Sequence, residues 1–179
     1  MTLGAMFPDT PPRRRITFSE ASLRAIAGGW KNQTRRLAVR ASPSNHRERK
    51  ESVWTRAKPG DLLLAARSPF LPIRCLLRVT GVRRERLHAI TDGDAMGEGV
   101  LLLTNSAGYA YTADLNDPEL YADDAVSAFR LLWERVHGPA AWEANPEVVV
   151  LTFEHARQSG VRQSTRGAAT RGRDEVPHV

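Results

Sequence analysis

The sequence predicts an α+β domain, built as a small mixed or antiparallel β-barrel with helices at its rim. Candidate strands outnumber candidate helices, and few consecutive strands are joined by a regular helical crossover, so a parallel doubly wound sheet is not expected. The chain has 179 residues, of which 41% are hydrophobic. One domain with a real core and additional terminal segments therefore fits this length and composition.

The first part of the chain is expected to contain a strand over 15–18, a helix over 19–28 and a strand over 34–39. The Ser19 hydroxyl can cap the helix, and Gly28 and Gly29 end it, because glycine accepts the left-handed conformation. Leu23 and Ile26 form its apolar face. Two segments carry no such periodicity. Residues 1–14, with three prolines, are expected to be a flexible arm, and residues 40–58 a long basic loop.

The middle of the chain is expected to contain a buried strand, a long strand and a short helix. The turn signal before Asp61 and the apolar run behind it predict the buried strand over 62–66. The long strand covers 73–86, with Gly81 marking a bulge or bend. Thr91 and Asp94 have the spacing of a capping box for the short helix, which ends at the glycines on either side of Glu98.

The last part of the chain is expected to contain the longest helix and an interior strand. Residues 100–122 are predicted to be irregular. Ala125, Phe129 and Trp133 repeat at helical spacing, so a helix is expected from residue 123 to the stop signal at Gly138. The apolar run at 148–153 predicts the interior strand, and Trp133 and Trp142 are assigned to packing. Residues 156–179 are expected to form a disordered basic tail.

The composition limits the classes of function. A net charge of +6 and a pI of about 10.2 suit a polyanionic partner such as RNA or DNA. A single cysteine and five scattered histidines give no disulfide framework or metal-ligand spacing, so neither a metal nor a cofactor is expected. Since no run is apolar enough for a membrane span or a signal peptide, we expect a cytoplasmic protein without a membrane partner. The sequence leaves the oligomeric state open.

The stretch 29–36 is the candidate functional segment. It carries a lysine, a threonine and two arginines directly after the glycines that end the first helix. Thr34 and Arg36 alternate along an extended segment and so share a face, over which Lys31 can reach. An ammonium, a hydroxyl and a guanidinium then converge beside Gly29, where a ligand can come close. The alternative is a solvated basic helix end, because helix C-termini favour cations.

Four stretches together resemble ASCH-domain proteins of the PUA-like barrel superfamily. They are Ile16-Thr17-Phe18-Ser19; Gly29-Trp30-Lys31-Asn32-Gln33-Thr34-Arg35-Arg36, which fits the family's Gly-x-Lys-x-x-(Glu or Thr)-x-Arg signature; Pro59-Gly60-Asp61 with the run 79–99; and Phe129-Arg130-Leu131-Leu132-Trp133 through Asn145-Pro146 to Phe153. The resemblance covers 15–155, and the last combination is similar to phage- and prophage-borne members. It implies a PUA-like barrel flanked by helices, with RNA or a modified nucleoside bound in a cleft lined by the signature.

The resemblance also implies a set of site residues. The N4-acetylcytidine amidohydrolases, a bacterial branch of the family, place a lysine, a threonine and a glutamate in that cleft. These carry over to Lys31, Thr34 and Glu98 here, and Arg36 fills the last signature position. If the protein is an enzyme, the resemblance therefore implies a metal-independent hydrolase of an amide such as the N4-acetyl group of N4-acetylcytidine.

These residue types can perform amide hydrolysis. Thr34 can be the nucleophile, with Lys31 as its base if burial and Arg36 lower the pKa of the lysine. Glu98 can position water or protonate the leaving amine, while Arg36 holds a carbonyl or phosphate oxygen. Trp30 can stack on a base. Each residue also has a structural alternative. Lys31 and Glu98 can form an ordinary ion pair, Thr34 can be a strand residue without a catalytic role, and Trp30 can belong to the core.

Two further functions compete with the enzyme. A non-catalytic RNA-binding module predicts a continuous basic surface that includes Arg35, Arg78, Arg83, the 40–58 loop and the tail, and an affinity that falls steeply with salt. A ribonuclease ranks lower, because the sequence does not place a histidine as its general base. No glycine-rich phosphate loop, zinc cluster or serine–histidine–aspartate order supports ATP use or metal catalysis.

Overall fold

The computed structural model of the chain describes residues 13–41, 49–106 and 108–156. Within these ranges the strands are β1 (Arg13–Thr17), β2 (Gln33–Leu37), β3 (Val39–Ala41), β4 (Arg49–Glu51), β5 (Leu62–Ala66), β6 (Cys75–Arg86), β7 (Leu101–Asn105), β8 (Gly108–Thr112), β9 (Tyr121–Ala122) and β10 (Glu147–His155). The α-helices are α1 (Glu20–Ala27), α2 (Asp92–Gly97) and α3 (Ala125–His137). The predicted mixed α+β class is confirmed.

The main sheet has five strands in the order β1-β5-β6-β10-β2. Only β1 and β5 pair in parallel, and the other neighbours are antiparallel. Two small sheets, β3-β4 and β7-β8-β9, complete the described strands. Because β1 and β2 remain at the edges of the main sheet, the pairings among the described strands leave it open and do not close the predicted barrel.

Strand β10 is the interior strand that the sequence predicts, and it supplies both sides of the core. Val149 and Leu151 belong to the cluster that contains residues of α1 and β5. Val148 and Val150 belong to the second cluster, together with Phe129 of α3. Since successive side chains of a strand point to opposite faces, a strand buried on both faces is apolar throughout, as the run at 148–151 is.

The predicted end signals of the helices are confirmed. Ser19 caps α1 by accepting a hydrogen bond from the Ser22 main-chain N–H at 3.1 Å. The helix ends at Ala27, and Gly29 follows with a positive φ of 84°. In α2, Thr91 and Asp94 form the full reciprocal capping box. These caps satisfy main-chain N–H groups that the first helical turn leaves unpaired.

The predicted bend at Gly81 is present as a register shift between β6 and β10. Thr152 pairs with Gly81, whereas Phe153 pairs with Val79, so Thr80 is an additional residue in β6. The additional residue interrupts the regular pairing of β6 with β10 at this point.

The segment 40–58 is more ordered than the predicted loop. Its described residues contain the β3-β4 pair and a 3-10 turn over Val53–Arg56, and Trp54 of that turn is buried in the first core cluster. The residues of β4 are all exposed and charged, so they show no apolar alternation by which a sequence pattern detects a strand. Residues 42–48 lie outside the described ranges.

The segment 100–122 forms a small antiparallel sheet, so the prediction of an irregular excursion is wrong. Strands β7 and β8 pair from Leu101 with Thr112 to Asn105 with Gly108, and β9 adds two residues at the far edge. The strands are short, and most of their residues are exposed or half-buried. They are held together by pairing with each other.

The predicted arm and tail lie mostly outside the described residues, at 1–12 and 157–179. Of the predicted arm, only Arg13 and Arg14 are described, and both belong to β1. Arg14 is held there by Asp61, whose Oδ2 lies 3.2 Å from its Nε. None of the described helices combines the length and the apolar character needed to cross a membrane.

Candidate functional site

A cleft of about 530 Å³ lies between the beginning of α1, strand β2 and one side of α3. The lining residues are Thr17, Phe18, Ser19, Glu20, Ser22, Lys31, Thr34, Arg35, Arg36, Arg67, Glu98, Phe129, Leu132, Trp133, Val136 and His137. The structure therefore brings the three predicted catalytic residues, Lys31, Thr34 and Glu98, into one cleft together with Arg36.

Two glycines with positive φ place Lys31 in the cleft. Gly29 turns the chain after α1, and the Lys31 main-chain N–H then donates to the carbonyl of Ala25 at 3.1 Å. Gly99, with φ of 102°, lies against the side chain: a Cβ there would fall 3.3 Å from Lys31 Cβ. A larger residue at Gly99 would crowd the lysine and strain its own backbone. The result is a lysine that is only 5% exposed.

Glu98 is the partner of that buried ammonium. It follows α2 as the C-cap residue and is itself 5% exposed. Lys31 Nζ donates to Glu98 Oε2 at 2.9 Å and also to the Glu98 main-chain carbonyl. The other carboxylate oxygen, Oε1, lies 3.3 Å from Arg35 Nη1. One buried carboxylate thus bridges two cations. The ion pair between Lys31 and Glu98, which was the predicted alternative to a catalytic role, is present and lies inside the cleft.

Burial lowers the pKa of Lys31, Glu98 opposes this by charge and hydrogen bonding, and the charges of Arg36 and Arg35 lower it further. A buried ammonium loses the solvation that water gives it, which favours the neutral amine. This is the direction that a lysine acting as a base requires.

Thr34 and Arg36 lie on β2, where they pair with Leu151 and Val149 of β10. Thr34 is buried against the cleft, and its hydroxyl has no hydrogen-bond partner among the described residues. Arg36 Nη2 donates to the Thr17 carbonyl at 2.7 Å, and the guanidinium lies 5.2 Å from the centroid of the Phe18 ring. The predicted common face of Thr34 and Arg36 is therefore part of the cleft wall.

Arg35 is not the exposed nucleic-acid contact that the sequence predicts. Its side chain is 0% exposed, and Nη2 lies 2.6 Å from Glu85 Oε1 and 3.2 Å from Asp94 Oδ2. The guanidinium also lies 5.9 Å from the ring centroid of Phe129. Because side chains alternate along a strand, Arg35 leaves β2 on the face opposite Thr34 and Arg36 and joins β2 to β6 and α2. It contributes to the cleft wall only as a buried cation paired with carboxylates.

The exposed arginines of β6 are partly neutralised. Arg83 is paired with both Glu85 and Asp94, at 2.8 and 2.7 Å. Arg78 is exposed on the same strand, in register with Glu154 of β10. With Arg35 buried and Arg83 paired, the described part of the predicted basic surface is interrupted.

Gly29 and Trp30 are not among the residues that line the cleft. Trp30 is 43% exposed, and its ring covers the end of α1, so that a Cβ at Gly28 would fall 1.7 Å from Trp30 Cζ3. The predicted stacking of Trp30 on a bound base is thus not supported by its position. The left-handed turn at Gly29 is what directs the ring back over the helix.

Sequence reasoning missed several residues of the cleft, above all Arg67 and His137. Helical spacing predicted the apolar stripe of α3, but it carries no information about which strand that stripe covers. His137 is the last residue of α3, and its ring centroid lies 4.1 Å from that of Trp133. Burial lowers the pKa of His137, and Arg36 and Arg40 lower it further. A histidine is therefore present where the sequence placed none.

The lowered pKa of Lys31 predicts a pH dependence of stability. The unfolded chain keeps the Lys31 proton up to about its ordinary pKa of 10.5, whereas the folded protein releases it at lower pH. Between these two values the unfolded state binds more protons, so the free energy of unfolding should rise with pH there. Burial raises the pKa of the Cys75 thiol, which acts in the opposite direction.

Urea unfolding from about pH 8 to 10 in a Cys75→Ala background measures this dependence. We expect a steeper rise in the Lys31-containing protein than in its Lys31→Met variant. Equal slopes in the two proteins would contradict a lowered lysine pKa.

No protein-family model matches the chain, and no curated protein matches it in sequence. Two solved structures are similar to it in fold. One is the ASCH domain from Lactobacillus crispatus JV V101, with 13% identity and a TM-score of 0.45 over 80% of this chain and 79% of that one. The other is a protein of family DUF984 from Enterococcus faecalis V583, with 11% identity and a TM-score of 0.46 over 82% and 76%. Both are similarities of fold, and neither identifies a ligand.

Proposed function

We propose that this protein binds a modified nucleoside, free or within RNA, in the cleft and hydrolyses an amide on its base, such as the N4-acetyl group of N4-acetylcytidine. The observation that carries the proposal is the convergence of Lys31, Thr34 and Glu98 on one cleft. The sequence resemblance to ASCH-domain amidohydrolases supports the same three residues.

The size and walls of the cleft suit a nucleoside. A volume of about 530 Å³ is within the range of small-molecule sites. Phe18, Phe129 and Trp133 give it apolar and aromatic walls, and aromatic faces bind bases by stacking. Arg36 adds a cation beside Thr34, where a carbonyl or phosphate oxygen can be held.

The proposed reaction starts with attack of Thr34 Oγ1 on the acyl carbon, while neutral Lys31 removes the hydroxyl proton. Arg36 stabilises the oxyanion that develops. The bond from the acyl carbon to N4 then breaks, and the proton passes from Lys31 to the leaving amine. Water hydrolyses the threonyl ester, which releases acetate and restores the hydroxyl. Glu98 holds Lys31 in place through the hydrogen bond from Nζ.

Release of cytidine from N4-acetylcytidine, followed by chromatography, tests the proposal. Thr34→Val, which keeps the shape and removes the hydroxyl, and Lys31→Met should each lower kcat/KM by at least about 100-fold, the typical contribution of a nucleophile or a general base. Thr34→Ser should retain measurable activity, because it keeps a nucleophilic oxygen.

The matched control is Thr104→Val, which changes an exposed strand threonine outside the cleft and should leave the rate unchanged. If the folded wild-type protein releases no cytidine, this substrate is ruled out. Activity that survives in Thr34→Val would instead remove the nucleophile from the mechanism.

The alternative is a non-catalytic RNA-binding module. The observation in its favour is the exposure of Arg78 and Arg86 on the long strand β6. Binding of single-stranded RNA that weakens steeply with salt, without release of cytidine, would favour this alternative. Shortening of the RNA in the same incubation would indicate a ribonuclease, for which His137 is available in the cleft.

A further inference from the structure

The charges that line the cleft do not cancel. Lys31 is paired with Glu98, and the other buried cation, Arg35, has three carboxylate partners. Glu20, at the beginning of α1, forms an ion pair with Arg74, whose Nη2 lies 3.8 Å from Glu20 Oε1. Two arginines, Arg36 and Arg67, have no carboxylate partner among the described residues. The residues that line the cleft therefore carry an excess of positive charge.

Arg36 has unused hydrogen-bond donors. Its one hydrogen bond within the described residues runs from Nη2 to the Thr17 carbonyl. Its Nε is buried, and neither Nε nor Nη1 has a hydrogen-bond partner within 13–41, 49–106 and 108–156. Leaving donors of a charged group unpaired away from water is costly. An acceptor that enters the cleft with negative charge would relieve that cost.

Arg67 is fixed beside the same wall by the parallel pairing of β1 and β5. Thr17 pairs with Ala66, and the Phe18 main-chain N–H donates to the Ala66 carbonyl at 3.0 Å. This places Arg67 next to the turn at which α1 begins, where Ser19 and Ser22 also line the cleft. The Arg67 side chain is exposed, so its guanidinium is available to a ligand.

His137 lies on the α3 side of the cleft. Arg36 is close enough for its charge to contribute to the lowered pKa of His137, so the two groups share one electrostatic environment. A neutral imidazole still supplies one N–H donor. Two guanidinium groups and one imidazole that line an aromatic cleft are suited to an oxyanion with several acceptor oxygens.

We propose that Arg36, Arg67 and His137 form a phosphate-binding subsite, so that the ligand of the cleft is a phosphorylated nucleoside: a mononucleotide or a nucleotide within RNA. This inference rests on the proposed binding of a nucleoside base in the same cleft. Arg67 and His137 lie outside the signature segment 29–36, and they add recognition of phosphate to recognition of the base.

Calorimetric titration at low salt with cytidine, cytidine 5′-monophosphate, cytidine 3′-monophosphate and a short cytidine-containing oligoribonucleotide tests the subsite. The phosphorylated ligands should bind at least about tenfold more tightly than cytidine, as one charge-assisted contact allows. Arg67→Ala should remove most of this preference, because it removes the exposed guanidinium of the subsite. His137→Phe should reduce the preference by a smaller factor, because it removes one neutral donor.

Arg24→Ala is the matched control, because Arg24 is an exposed arginine of α1 that does not line the cleft. It should keep the full preference for phosphate. Tighter binding of a monophosphate would identify a mononucleotide ligand, whereas an Arg67-dependent preference seen with the oligoribonucleotide alone would identify a phosphodiester in RNA. Equal affinity of the wild type for cytidine and all phosphorylated ligands, or equal losses in Arg67→Ala and Arg24→Ala, would overturn the subsite.

The same preparations separate this inference from the proposed enzyme. Hydrolysis of N4-acetylcytidine without a preference for phosphate would overturn the subsite and leave the enzyme in place. Arg67-dependent binding of a monophosphate without hydrolysis would keep the subsite and overturn the amidohydrolase. Absence of binding by every ligand to the folded protein would overturn both.

Discussion

Replacing Arg35 with methionine should lower the free energy of unfolding by about 3–5 kcal/mol, the usual cost of removing one partner from a buried ionic network. Arg35 is fully covered, and its guanidinium is in contact with carboxylates from β6, α2 and the residue after α2. Without it, Glu85, Asp94 and Glu98 remain close together with like charge. Methionine fills much of the volume of the arginine side chain. The loss of unfolding free energy therefore measures mainly the missing charge and only to a small extent a cavity.

Urea unfolding followed by circular dichroism measures this loss. The matched control is Arg84→Met, since Arg84 is an arginine of β6 that forms a largely exposed ion pair with Glu51 at 3.4 Å. Exposed pairs contribute little, so we expect less than about 1 kcal/mol for the control. Equal losses in the two variants would show that the Arg35 network does not stabilise the fold.

Replacing Glu98 with glutamine should lower the free energy of unfolding by about 3 kcal/mol, at the lower end of the range for a broken buried pair. Lys31 and Arg35 then lose the carboxylate between them. The loss is limited, because Lys31 can give up its proton and still donate to the Glu98 main-chain carbonyl. Glu98 raises the pKa of Lys31, so its removal should shift that pKa further downward.

The sign of the pH effect follows from that shift. In Glu98→Gln the range of pH in which the unfolded chain binds the extra proton extends to lower values, so stability should rise with pH over a wider range than in wild type. Glu143→Gln, which alters an exposed carboxylate paired with Arg130, should leave both stability and its pH dependence nearly unchanged. A wild-type pH profile in Glu98→Gln would contradict the pairing.

Glu98→Gln and Arg35→Met should affect catalysis differently. Glu98→Gln alters the environment of the proposed base directly, whereas Arg35 contacts the other carboxylate oxygen of Glu98, Oε1, and does not touch Lys31 Nζ. Measuring kcat/KM of both variants near neutral pH, together with circular dichroism spectra that show how much of each is folded, separates a loss of the base from a loss of stability.

Local sequence signals predicted the helices that have capping residues and the strand that has a continuous apolar run. The cap at Ser19, the capping box of Thr91 and Asp94, and the apolar run of β10 depend on neighbours within a few residues, and each is present. The small sheet at β7-β8-β9 and the β3-β4 pair were missed, because their strands are short and find their partners through main-chain hydrogen bonds that any sequence can make.

The sequence by itself determined the α+β class, the order of most helices and strands, and the common face of Thr34 and Arg36, since these follow from periods of 3.6 and 2.0 residues. Only the tertiary structure decided that Arg35 is buried, that Trp30 lies outside the cleft, and that Arg67 and His137 lie within it. The physical reason is that burial and pairing of a charge depend on residues distant in sequence: Glu85 and Glu98 for Arg35, and the β1–β5 pairing for Arg67.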